Sequence, residues 1–140
     1  MIEEFSLFKT AFSAAGKGIY YLKRLDLYDE ANRAFKNGDY KSAISLYSKI
    51  INSYGKEYKA FENRALARLK VKQNQGAIED YTQAINLDPG NSFYYYNRGL
   101  AYNTVGDYQQ AIWDYTQAIN LDPKYISAYN NRGNAYCNIG

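Results

Sequence analysis

The residues in this chain best suited to chemistry are three Asn-Arg dipeptides, Asn63-Arg64, Asn97-Arg98 and Asn131-Arg132, each 34 residues from the next. Side-chain amides both donate and accept hydrogen bonds, and guanidinium forks grip carboxylates, so the set is suited to holding polypeptide rather than to breaking bonds. Covalent catalysis has little to draw on. The sequence contains no histidine and a single cysteine, Cys137, which removes Ser-His-Asp and Cys-His arrangements, an internal disulfide and the usual zinc or haem ligand sets. It has neither a phosphate-binding glycine loop nor an acidic cluster at metal-ligand spacing. Asp88 and Asp122 each precede a proline at equivalent places and read as helix-terminal residues, not as paired acids. The expectation is a protein without enzymatic activity, cofactor or metal.

The dipeptides keep step with a longer repetition. The only two prolines, Pro89 and Pro123, close the segments Gln75 to Pro89 and Gln109 to Pro123, which match at 13 of 15 positions. Self-similarity at a fixed period of about 20 to 50 residues marks a repeat architecture. With the prolines in the same place of a 34-residue unit, the units begin at Arg24, Tyr58, Ser92 and Ile126. Small residues then share a place (Ala31, Ala65, Gly99, Gly133) where two helices must approach closely. Ala43, Ala77 and Ala111 share a second place, and Tyr47, Tyr81 and Tyr115 a third. Apolar residues at three- and four-residue intervals give two amphipathic helices per unit. Gly38 and Gly106 suit the left-handed turn between them, and Asp39 and Asp107 suit the next N-cap. The second unit has Lys72 in place of that glycine.

These units resemble tetratricopeptide repeats. The third carries the resemblance best, through Tyr95, Gly99, Tyr102, Gly106, Tyr108, Ala111, Tyr115, Ala118 and Pro123. The resemblance implies an all-α, right-handed superhelical solenoid of antiparallel helix pairs, about 3.5 units long, since stacked repeats bury a continuous core. Residues 24–57, 58–91 and 92–125 form three units, and 126–140 the first helix of an incomplete fourth or a capping helix. Ahead of them, Phe5, Phe8, Phe12, Ala15, Ile19 and Leu22 put an apolar stripe on an N-terminal helix, 1–23, expected to cover the first unit.

In tetratricopeptide proteins the first helix of each unit lines a concave face that holds peptides. By resemblance, the groove here presents Tyr28, Asn32, Phe35, Asn63, Leu66, Phe93, Tyr96, Asn97, Leu100, Asn103, Asn130, Asn131, Asn134 and Asn138. This is a neutral surface of amides and aromatics, and its asparagine ladder resembles that of the repeat domain in O-linked N-acetylglucosamine transferases. The arginines beside the asparagines have internal partners instead. Arg64 and Arg98 occur in units that carry Asp80 and Asp114, whereas the first unit has Glu30 and Leu46 at those places, so pair members appear and vanish together. The carboxylate clamp by which some cochaperones hold acidic C-termini is matched at Asn32 and Asn63. Its three basic positions are occupied by Tyr28, Phe93 and Asn97, so an acidic tail is not the expected ligand.

The net charge of +3 is spread thinly along the units, without the Lys/Arg stripe of a nucleic-acid binder. Lys9 and Lys17 interrupt the apolar N-terminal stretch, which argues against a signal or membrane segment, and the expected location is cytoplasmic. The partner is therefore expected to be a protein or peptide. A final helix with Tyr129, Tyr136 and Cys137 uncovered also raises self-association through that end.

Overall fold

The computed structural model describes the backbone of residues 2–140 and the side chains from residue 16 onward. Its helices are α1 (Ile2–Lys36), α2 (Tyr40–Tyr54), α3 (Tyr58–Lys70), α4 (Asn74–Leu87), α5 (Ser92–Thr104), α6 (Tyr108–Leu121) and α7 (Ile126–Ile139). Each packs against the next, and α5 also reaches α7, so the described residues form an all-α superhelical solenoid of antiparallel pairs. Its core is a column of small residues and rings. Ala31, Ala43, Ala65, Ala77 and Ala111 are fully buried, and Tyr47, Tyr81 and Tyr115 fill the space that those small residues leave. At Gly99 the fit is closest: a Cβ there would lie 2.8 Å from Cε1 of Tyr115.

The N-terminal helix is not a separate element. α1 runs for 35 residues straight through the expected boundary after Lys23. Nothing in the sequence there stops a helix, and an interior glycine such as Gly16 or Gly18 costs only about 1 kcal/mol. Phe5, Phe8, Phe12 and Ala15 of the expected stripe lie outside the described side chains. Its other two members, Ile19 and Leu22, are 56% and 60% exposed and cover nothing. Tyr20 makes the contact instead: its hydroxyl donates to the Ser53 carbonyl at 3.0 Å, and its ring meets Tyr54 edge-on at 4.5 Å.

The turns follow the chemistry of their residues. Gly38 and Gly106 take φ of 78° and 84°, and the Asp39 and Asp107 carboxylates accept from the backbone N–H of Ser42 and Gln110. In the second unit Lys72 is forced to φ 62°, and Gln73 supplies no side-chain cap. α4 and α6 both stop before Asp-Pro, where Asp88 and Asp122 are extended at φ −143° and −133°, because a following proline excludes the helical region.

Replacing Lys72 by glycine should raise stability by roughly 0.5–1 kcal/mol, since glycine enters the left-handed region without the Cβ clash; urea unfolding measures it. The core tyrosines predict a steeper effect of pH. Burial pushes the Tyr47 hydroxyl up to about 12, and it raises Tyr81, Tyr94 and Tyr115 as well. In the unfolded chain a tyrosine ionises near about pH 10, so unfolding releases protons above that pH. Stability is then complete below about pH 10 and falls as pH rises, by up to about 1.4 kcal/mol per pH unit for each such tyrosine. Tyrosinate absorbance followed alongside circular dichroism should show these rings ionising only as the helices melt.

Candidate functional site

The expected ion pairs are present and bidentate. Arg64 Nε and Nη2 donate to Asp80 Oδ2 and Oδ1 at 2.9 and 2.7 Å, and Arg98 repeats this on Asp114 at 2.9 and 2.8 Å. Both carboxylates are buried. Burial pushes the Asp114 carboxyl up from its ordinary value, and the hydrogen bonds and charge of Arg98 pull it back. The third N–H direction of each guanidinium is also used: Arg64 Nη1 donates to Ser48 Oγ at 2.9 Å and Arg98 Nη1 to Thr82 Oγ1 at 3.0 Å. Each arginine thus joins its own helix to the helices before and after it.

The asparagines divide into those that remain available and those used internally. Asn32 Oδ1 accepts from the Tyr47 hydroxyl, 2.6 Å away. Asn97, expected in the groove, is buried. It is 7% exposed, and its Nδ2 donates to the Phe93 carbonyl one turn earlier at 2.8 Å, a local bond that short amide side chains make readily. Asn131 Nδ2 donates to the Tyr96 hydroxyl at 3.0 Å. Tyr96 itself packs between Tyr115 and Tyr125, and the Asn103 Oδ1 is buried without a partner. Asn130, Asn134 and Asn138 are exposed, Phe93 borders on exposure, and Leu100 is half-buried against the α6 core.

The first five expected groove residues do come together. An open cavity of about 410 Å³ is lined by Tyr28, Asn32 and Asn63 with Arg24, Leu25, Glu57, Tyr58 and Lys59. A smaller one of about 110 Å³ is lined by Asn32, Asn63, Phe35 and Leu66 with Lys36 and Tyr47. The two share Asn32 and Asn63, which makes a continuous cleft between α1 and α3 with two amides at its middle. Phe93, Tyr96, Leu100 and the later asparagines line neither cavity. At the cleft's mouth Glu57 accepts from Arg24 Nη1 at 2.8 Å and from the Tyr28 hydroxyl at 3.1 Å, and Lys59 pairs with Glu62 at 3.0 Å. Burial raises the Tyr28 hydroxyl, and the Glu57 charge raises it further. Both cations at the mouth are matched by carboxylates.

The family profile described as TPR repeat matches residues 65–106 and 104–140, more than half of the chain. The chain belongs to the tetratricopeptide repeat family. Sperm-associated antigen 1 of Mus musculus is 37% identical over 62 residues, 44% of this chain and 7% of that protein. The chain spans about a fifth or less of the curated relatives that it matches first. Among solved structures, the first TPR of Spaghetti (RPAP3) bound to HSP90 peptide SRMEEVD superposes with a TM-score of 0.78 at 27% identity, covering 83% of this chain and 92% of that one. The second TPR domain of human RPAP3, in complex with HSP70 peptide SGPTIEEVD, gives 0.78 at 30% identity over 83% and 97%. Among the described residues no helix of this tetratricopeptide chain is long and apolar enough to cross a membrane.

Three features of this tetratricopeptide array were not read from its sequence. The hydroxyls Ser48, Thr82 and Thr116 recur every 34 residues, 16 before each arginine, and that spacing was the available signal. Arg68 also reaches Asp80 at 2.9 Å, passing over Gly76, where a Cβ would meet its Cδ at 3.0 Å. The tyrosine column is satisfied unevenly: Tyr47 has Asn32, whereas Leu66 and Leu100 hold the equivalent places, and the Tyr81 and Tyr115 hydroxyls are buried without partners. Tyr47→Phe should therefore cost about 1 kcal/mol, a normal hydrogen bond. Tyr81→Phe and Tyr115→Phe, which remove only unpaired hydroxyls, should leave stability unchanged or raised; thermal unfolding of the three variants distinguishes the cases.

Proposed function

We propose that this chain is a non-enzymatic interaction scaffold that holds an extended, uncharged peptide segment of a partner protein in the cleft between α1 and α3. The continuous cleft with Asn32 and Asn63 at its middle carries this reading. Side-chain amides satisfy the N–H and C=O groups of an extended backbone, while Tyr28, Phe35 and Leu66 supply apolar area on either side. Peptide binding by the two RPAP3 domains supports the use of this fold for such a ligand.

The mouth of the cleft favours a neutral peptide over an acidic tail. A terminal carboxylate needs a cluster of unpaired cations, and here Arg24 is committed to Glu57 and Lys59 to Glu62, with Tyr28 donating to the same Glu57, which leaves Lys36 of the inner cavity as a single cation. Bringing a peptide carboxylate to that point places it beside an existing carboxylate in a partly dehydrated site, where like charges repel most strongly. The later asparagines contribute less, because neither cavity of the cleft is lined by Asn97 or Asn131.

Selection of a displayed random-peptide library on the wild-type chain, with the Tyr28→Ala/Asn63→Ala double variant as counter-target, tests the proposal. Enriched peptides should be neutral, lose at least tenfold in affinity for the double variant, and outbind SRMEEVD by a similar factor in fluorescence anisotropy. Enrichment of acidic C-termini, or affinity indifferent to the double variant while its circular dichroism is unchanged, overturns it.

A further inference from the structure

Three places where the second unit departs from its neighbours converge on one cavity. The first and third units turn through Gly38-Asp39 and Gly106-Asp107, but the second has Lys72-Gln73; where they carry Ala34 and Tyr102, it has Arg68. Each change moves the local charge in the positive direction. Arg68, Lys72 and Gln73 line an open cavity of about 470 Å³ together with the first turn of α4 and Val105 of the next turn. α4 receives no side-chain cap there, whereas the Asp39 and Asp107 carboxylates accept from the first turns of α2 and α6, so its free N–H groups add positive potential. Beside the cavity Arg64 and Arg68 share the single carboxylate of Asp80, while Arg98 has Asp114 to itself. One guanidinium charge is thus left over, and the Arg68 Nε is buried without a partner.

Because paired helices run antiparallel, the turns within units fall on one edge of the solenoid and the linkers between units on the other. Arg33, Lys36 and Lys41 flank the first turn, and Lys70 and Lys72 the second. All five are exposed, and among the described residues none of them forms an ion pair. The carboxylate beside them, Asp39, is turned to the N–H of Ser42. The linker edge carries both signs instead, with Lys56 and Lys124 as well as Glu57, Asp88 and Asp122. A net charge that is thin when summed by unit is therefore segregated by edge.

We infer that this edge is a docking surface for an acidic, extended segment of a partner protein, with one of its carboxylates seated in the cavity between Lys72 and the first turn of α4. Charge complementarity selects the occupant. α1 and α3 both wall the inner cavity of the cleft, and neighbouring helix axes lie about 8–10 Å apart. About three extended residues cover that span at roughly 3.3 Å each, so carboxylates at such intervals reach both turns. The amides of Gln73, Asn74 and Gln75 offer partners to the peptide backbone between them. A nucleic acid would want rings on which to stack its bases. Here Phe35 and Tyr40 are stacked on each other against the core, and Val105 is the exposed large apolar side chain at the cavity. Lys72 keeps its cation at φ 62°, so stability and binding are set against each other at that residue. The surface shares only Lys36 with the α1–α3 cleft and is independent of what that cleft binds.

The probe is a peptide of three tandem copies of Glu-Ser-Asp-Gly, amidated at its C-terminus, labelled at its N-terminus and titrated into the full chain by fluorescence anisotropy. Saturable binding that weakens as salt is raised is expected, and the same peptide with Gln and Asn in place of its acids should not bind. Lys72→Gly relieves the turn and Gln73→Asp caps α4, while both withdraw positive potential from the cavity. Each should therefore raise Tm yet weaken binding at least threefold, and the two together at least tenfold. The Tyr28→Ala/Asn63→Ala chain should bind the probe as the wild type does, which separates this edge from the cleft. Absence of binding to the wild-type chain, undiminished binding by the Lys72→Gly/Gln73→Asp chain, or loss of binding in the cleft variant at unchanged circular dichroism overturns the docking surface. Oligouridylate that binds more tightly than the probe and is equally sensitive to Lys72→Gly/Gln73→Asp assigns the edge to nucleic acid and overturns the partner-peptide assignment.

Discussion

Register in this solenoid depends on an arginine laid across three helices. The two forks onto Asp80 and Asp114 fix both the rotation and the height of the second helix of a unit against the first, because a bidentate guanidinium tolerates little displacement in either. The remaining N–H of the same guanidinium anchors to Ser48 or Thr82 on the preceding helix, so successive units inherit one alignment. A buried pair of this kind is weak as a source of net stability and strong as a specifier, since losing one member leaves a stranded charge costing about 3–5 kcal/mol. Tyrosine rings and small residues supply the area, and they can close only at the height the arginine sets.

That arrangement also shapes the groove. With the arginines turned inward as staples, the recognition we propose is left to the neighbouring amides, and these are not equally placed. Asn32 and Asn63 flank open volume between α1 and α3, while Asn97 is closed onto its own helix and Asn131 onto Tyr96. On the proposed reading the half built by α1 and α3 is the receptive one. The first turn of the first unit, within the long α1, carries its wall as far as Arg24 and Leu25.

The repeat made much of this legible. The shared proline spacing placed six of the seven helices, and the joint presence of Arg64 with Asp80 and Arg98 with Asp114 identified the staples, because any feature occurring twice at one period is self-checking. Features occurring once were harder. The continuity of α1 depends on the absence of a stop signal after Lys23, and the bond from Asn97 to the Phe93 carbonyl depends on a rotamer. Neither leaves a periodic trace. Glu57, which neutralises the mouth of the cleft, is the last residue of the first unit, just ahead of α3, and its counterparts Asn91 and Tyr125 carry no charge to signal it.

Near-identity between α4 and α6 creates a hazard of its own, since a helix with almost the same sequence could settle in its twin's berth while the chain folds. Gly76 distinguishes the two. In its own berth it leaves room for Arg68 to pass toward Asp80; Gln110, its counterpart on α6, would put side-chain atoms into that passage. Trp113 distinguishes them from the other direction, lying 6.4 Å from Tyr95 on α5, where α4 would offer only Glu79. With Asn74 opposite Tyr108, which packs on the α6 core, these are the three positions at which the two helices differ, and together they act as an address code.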